Sequence, residues 1–111
     1  MNFVKTTIAT AAVITCCLGN TYPAHAGITD RIATKLCQES HSSLRSAHNN
    51  PTLMKRVVQQ HTQAAMGTYN DPMIAIREMG RYKDAEALGW GMYRAMKRQC
   101  RTKATALFGD L

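Results

Sequence analysis

A chain of 111 residues, with 14 Lys and Arg against 7 Asp and Glu, 45% hydrophobic residues and only 6% aromatic ones, has material for one domain at most. A large enzyme with a deep cleft between lobes is therefore excluded. The formal charge of +7 favours acidic partners, because net charge governs association rather than fold.

The first 26 residues read as an export signal. Lys5 is the one charge of a short leading segment, Thr6 to Leu18 carry none, and Ala24-His25-Ala26 places small residues where a signal peptidase requires them. The uncharged run is too short to span a bilayer, which takes ~20 apolar residues. A lipoprotein would want a small residue just before the modified cysteine, whereas Thr15 and Cys16 precede Cys16 and Cys17. Removing 26 of the 111 residues leaves 85, expected to form one small helical domain over 27–111. Loss of Lys5 lowers the basic count from 14 to 13, and the mature charge against 7 acids is +6.

Two of the four cysteines leave with the signal, so Cys37 and Cys100 remain. In an exported chain an even pair predicts a disulfide. The loop it closes, about 63 residues, corresponds to about 4 kcal/mol in the chain-entropy model. A core this small rarely supplies more than ~3–5 kcal/mol by itself.

No segment alternates apolar and polar residues, and turn signals stand about twenty residues apart, which predicts an all-α chain. Thr29 is the expected N-cap of a first helix over 30–47, with Ala33, Leu36, Ser40, Leu44 and Ala47 on one stripe and Arg31, Lys35, Gln38, Ser42 and Arg45 opposite. Asn50 then caps a second helix with Pro51 at its first position, carrying Leu53, Val57, Val58, His61, Ala64 and Ala65 on one side and ending at Gly67. Asn70-Asp71-Pro72 repeats that start signal. Beyond it two readings compete: a short stretch with Met73, Ile76 and Met79 that stops at Gly80, followed by an Asp84-capped helix over 85–102, or a single helix across Gly80. Gly89 and Gly91 inside the last helix cost ~1 kcal/mol each relative to alanine. Close approach of another backbone or a kink at Trp90 is the expected reason. The architecture that satisfies these signals is a small antiparallel bundle of three or four helices, stapled by Cys37–Cys100.

Arg94, Lys97, Arg98 and Arg101 fall within about 100° on a helical wheel, apart from Met92, Met96 and Cys100. They form the candidate partner-binding face, weighed against a solvated face whose cations suit a helix C-terminus. Spread at helical spacing, the methionines read as core filling rather than a copper site. Cys37, His41 and His48 share one side of the first helix, but a disulfide at Cys37 takes away the essential ligand, so neither a metal nor a cofactor is expected. His61, within an apolar stripe, reads as a hydrogen-bonded core histidine. No catalytic motif occurs: G-x-S-x-G, H-E-x-x-H, C-x-x-C and Gly-rich phosphate loops are all missing.

The expectation is a non-enzymatic interaction protein of the bacterial periplasm or exterior that binds an acidic protein, such as a secretion or conjugation accessory or a toxin antagonist. Export argues against nucleic acid. A small toxin acting on an anionic membrane surface through the last helix is one alternative. In size and cysteine count alone the mature chain resembles periplasmic acid-stress chaperones, which implies a chaperone as another.

Overall fold

A computed structural model describes residues 27–110. The expected signal peptide, 1–26, lies outside the described residues. Among the described residues six helices follow in order: α1 (Ile28–Cys37), α2 (His41–His48), α3 (Pro51–Met66), α4 (Pro72–Met79), α5 (Ala85–Gln99) and α6 (Arg101–Phe108). The all-α class and the Cys37–Cys100 disulfide are both present, the two Cα atoms standing 5.9 Å apart.

Four of the six N-termini are capped by a side chain that accepts a backbone N–H: Ser40 from Ser43, Asn50 from Leu53, Asp71 from Met73, and Asp84 from Ala87. The last three are the starts predicted from sequence, two of them with proline in the first turn. Ser40 is the start that sequence periodicity hides. Its hydroxyl takes the Ser43 N–H at 3.2 Å and its backbone is extended, so the expected helix over 30–47 breaks into α1 and α2. Serine competes for backbone hydrogen bonds in this way, which is why it favours caps over helix interiors. Thr29 is not a cap: Gly27 holds that position without a side-chain bond, and Thr29 lies buried inside α1, accepting from the Tyr82 hydroxyl.

The last predicted helix is also two. Cys100 leaves the helical region at φ −153° and ψ 75°, and its carbonyl accepts from Ala104 N to begin α6. The alternative helix across Gly80 does not form: Gly80 terminates α4, and the chain re-enters helix only at the Asp84 cap.

The six helices fall into three rods. α1 and α2 form the first, α3 the second, and α5 and α6 the third. Arg31 reaches Thr68 while Glu39 reaches His61, so α1 and α3 are antiparallel. Asp30 meets Arg98 and Cys37 meets Cys100, and at the other end His48 meets Leu107. The first and third rods thus run in the same direction, as an up–down–up bundle requires. Both rods change direction where the disulfide joins them.

The first rod is the middle layer, with α1 in contact with both α3 and α5. Its side chains accordingly fill the core: Ile28, Ile32, Leu36 and Leu44 are fully buried, together with Met96 and Leu107 of the third rod. That position also corrects the expectation for Arg31. It is buried on the α3 side, its Nη1 donating to the Thr68 carbonyl and hydroxyl, and its guanidinium lies 3.7 Å from the centroid of the Tyr69 ring. Methionine fills the core as expected at Met92 and Met96, whereas Met73 on α4 is 61% exposed. α4 buries Ala75, packs a partly buried Met79 against the core, and presents Met73, Ile74 and Ile76 to solvent.

Candidate basic interface

The four cations grouped by the helical wheel are all exposed but have different neighbours. Arg94 and Lys97 project from α5 into solvent, with the Lys97 ammonium 5.3 Å from the centroid of the Tyr93 ring. Arg98 is engaged within the molecule: its Nη2 donates to Asp30 Oδ1 at 2.9 Å, clamping the start of α1 to the end of α5 alongside Gln99, which bonds the Asp30 carbonyl and Thr34. An exposed pair of this kind contributes little stability, on the order of 0–1 kcal/mol, but it occupies the arginine. Arg101 lies beyond the break at Cys100. It belongs to α6 and lies beside residues of α2.

Arg101 instead lines a cleft of about 620 Å³ between α2 and α6, together with His41, Arg45, His48, Asn49, Thr102 and Thr105. A second hollow of about 320 Å³ continues along α2 over His41, Ser42, Arg45, Ser46 and Asn49. Neither lining contains a carboxylate. The donors are those that suit an oxyanion: two guanidiniums, two imidazoles, an amide and hydroxyls. His48 is held in place by its Nδ1, which donates to the Leu107 carbonyl at 3.0 Å and so ties the ends of α2 and α6 together. A carbonyl can only accept, so the Nδ1 carries the proton.

His41 and His48, expected on one side with Cys37, do line one cleft. Cys37, however, is bonded to Cys100, and its carbonyl accepts from Lys103 Nζ at 2.8 Å. Among the described residues no group of three or more His, Cys, Asp and Glu side chains gathers in a metal-binding arrangement. Arg45 is expected opposite the apolar stripe of its helix, and its meeting with Arg101 is a tertiary event that no spacing within either helix encodes.

His61 is a hydrogen-bonded, half-buried histidine, as expected. Its Nδ1 faces the Val57 carbonyl at 2.7 Å and its Nε2 faces Glu39 Oε2 at 2.9 Å. Both partners are acceptors, and a neutral imidazole, with one N–H, can donate to only one of them. This contact ties the turn between α1 and α2 to α3.

The two glycines of α5 differ. A Cβ at Gly91 would stand 2.8 Å from Thr29 Cγ2 and 3.2 Å from Tyr82 Cε1, so side chains of α1 and of the α4–α5 turn, rather than another backbone, demand glycine there. A Cβ at Gly89 would meet nothing within 4 Å. The expected close approach of another backbone is found at neither glycine: side chains crowd Gly91, and Gly89 is open.

No protein-family model, curated protein or solved structure matches the chain.

Proposed function

We propose that this is a non-enzymatic interaction module of the periplasm or cell exterior, which docks an acidic protein partner on its basic surface. The observation that carries the reading is the α2–α6 cleft, where Arg45 and Arg101 converge with His41 and His48 and whose lining contains no carboxylate. The mature balance of +6 draws an acidic partner toward this surface and accelerates encounter. The disulfide suits an oxidising compartment, and the small-residue ending at Ala24-His25-Ala26 suits export. A secretion or conjugation accessory and a toxin antagonist are the roles that fit such a module.

Attack on lipid through the last helix is disfavoured by packing. Met92 and Met96 of α5 and Leu107 of α6 are buried, so neither helix has those apolar side chains to offer a bilayer while the fold stands.

Titration with a hexaglutamate peptide, followed residue by residue by NMR, tests the reading. Shifts should centre on His41, Arg45, Arg101 and Thr102, extend to Arg94 and Lys97, and weaken severalfold in Arg45→Gln/Arg101→Gln. Arg98→Gln, already paired with Asp30, should leave the affinity nearly unchanged. Equal binding by the Arg45→Gln/Arg101→Gln protein would remove the cleft from the interface.

A further inference from the structure

Gly89 carries a cost that the fold does not repay. A glycine inside a helix is ~1 kcal/mol less favourable than alanine, and here nothing packs within 4 Å of where its Cβ would be. What the missing side chain leaves is a hollow of about 260 Å³, walled by Trp90 and Phe108 with Glu86 at one end. Trp90 is 43% exposed although it is the single tryptophan of the chain. Its ring meets Tyr93 edge-on at 5.9 Å, and Tyr93 meets Phe108 in the same way at 5.6 Å. Tyr93 is itself buried, so it braces both walls, and the hollow is formed before anything enters it.

The charges around it are polarised. Glu86 stands one turn before Trp90, Arg94 one turn after, and Lys97 follows above the Tyr93 ring. We propose that the hollow over Gly89 is a socket for one apolar side chain of an acidic partner segment, whose carboxylates lie on Arg94 and Lys97. This rests on the acidic-partner reading above and specifies the segment. The anchor is followed on one side by acids and is free of them on the Glu86 side. An exposed tryptophan beside arginine is the composition that dominates binding energy at protein interfaces, where a few anchors in preformed pockets outweigh their surroundings. Retaining glycine at a helix position where a Cβ would meet nothing is then the cost of keeping the socket open.

The tryptophan supplies the readout. The probe is a capped peptide Ala-Ala-Leu-Ala-Glu-Glu, compared with the same peptide carrying alanine for leucine, each followed by Trp90 emission and by backbone NMR. The leucine peptide should blue-shift Trp90 saturably, and its alanine counterpart should bind about tenfold more weakly or worse, the loss expected for burying one leucine. Gly89→Leu should fill the socket and abolish the preference for leucine. Gly89→Ala should fold with a higher thermal midpoint, showing that no internal contact required the glycine. The proposal is overturned if the two peptides bind alike with Trp90 silent, if Gly89→Leu retains the leucine preference, or if the emission shift instead follows protein concentration alone or anionic vesicles. Shifts at Arg45 and Arg101 from both peptides with a silent Trp90 would sink the socket and leave the acidic-partner reading standing; binding of neither peptide would sink both.

Discussion

At the scale of single residues, the same amino acid two positions apart has opposite meanings. Gly91→Ala places a methyl group against Thr29, a buried and β-branched side chain with little freedom to move, and should cost about 1–3 kcal/mol. Gly89→Ala should stabilise by up to ~1 kcal/mol. Chemical denaturation of the two variants measures both, and a loss at Gly89 would mean that the helix needs glycine there for itself. Tyr69 is the other residue whose environment has a measurable consequence. Its hydroxyl is shielded and lacks a hydrogen-bond partner among the described residues, and burial raises its pKa above the ordinary tyrosine value against the opposing pull of Arg31. The unfolded chain therefore releases this proton at lower pH than the folded one. Stability from this residue is complete below the ordinary tyrosine range, near pH 10, and is lost as pH climbs through the raised value. Tyr69→Phe should be nearly neutral at pH ~7, since no bond is broken, and should flatten the alkaline decline of the melting temperature.

At the scale of elements, the instructive event is the division of the first and third rods. α1 could have continued into α2 on periodicity alone, since Leu36, Leu44 and Ala47 stay buried across the break. Ser40 ends that continuity by taking the Ser43 N–H, and Glu39 in the same turn reaches His61 on α3. Replacing His61 by leucine removes both of its contacts, to Val57 and to Glu39. Hydrogen exchange should then quicken at Glu39 to Ser43 while the α5 amides stay protected, because the loss is local to one turn. Uniform acceleration through both rods would show instead that this pair holds the whole bundle. The break at Cys100 has no comparable local cause, as Gln99, Arg101 and Thr102 contain no helix breaker. It lies where the third rod turns to lay α6 against α2, and by doing so it moves Arg101 into the cleft with Arg45.

At the scale of the whole molecule, the disulfide joins the two rods at their points of bending and closes a loop of 63 residues. Among the described residues the fully buried large side chains are Ile28, Ile32, Leu36, Leu44, Met96 and Leu107, a small core for the chain it must order. Cross-linking a loop of this length contributes about 4 kcal/mol, a large part of the 5–15 kcal/mol typical of a domain. Cys37→Ala/Cys100→Ala, or reduction of the native protein, should therefore bring the midpoint of unfolding close to ambient temperature. If the reduced protein melts within a few degrees of the oxidised one, the packing of α1 between α3 and α5 is sufficient by itself.

Much of this was open to reading from the chain. Local chemistry acts over a few residues, so Asn50-Pro51, Asp71-Pro72 and Asp84 announced three helix starts, Gly67 and Gly80 two ends, and Cys37 with Cys100 the only available bridge once the leading segment is set aside. What tertiary structure alone decided is which surfaces meet. A helical wheel assumes an unbroken helix and a single buried face, and both assumptions fail here: α1 is covered on two sides, which buries Arg31, and the rod from Asp84 onward breaks at Cys100, which puts Arg101 in a different helix from Arg94, Lys97 and Arg98. The pairing of Arg98 with Asp30 spans 68 residues, and the vacancy over Gly89 depends on where Phe108 comes to rest. Such contacts follow from the packing of whole rods, and no periodicity within one of them specifies its neighbour.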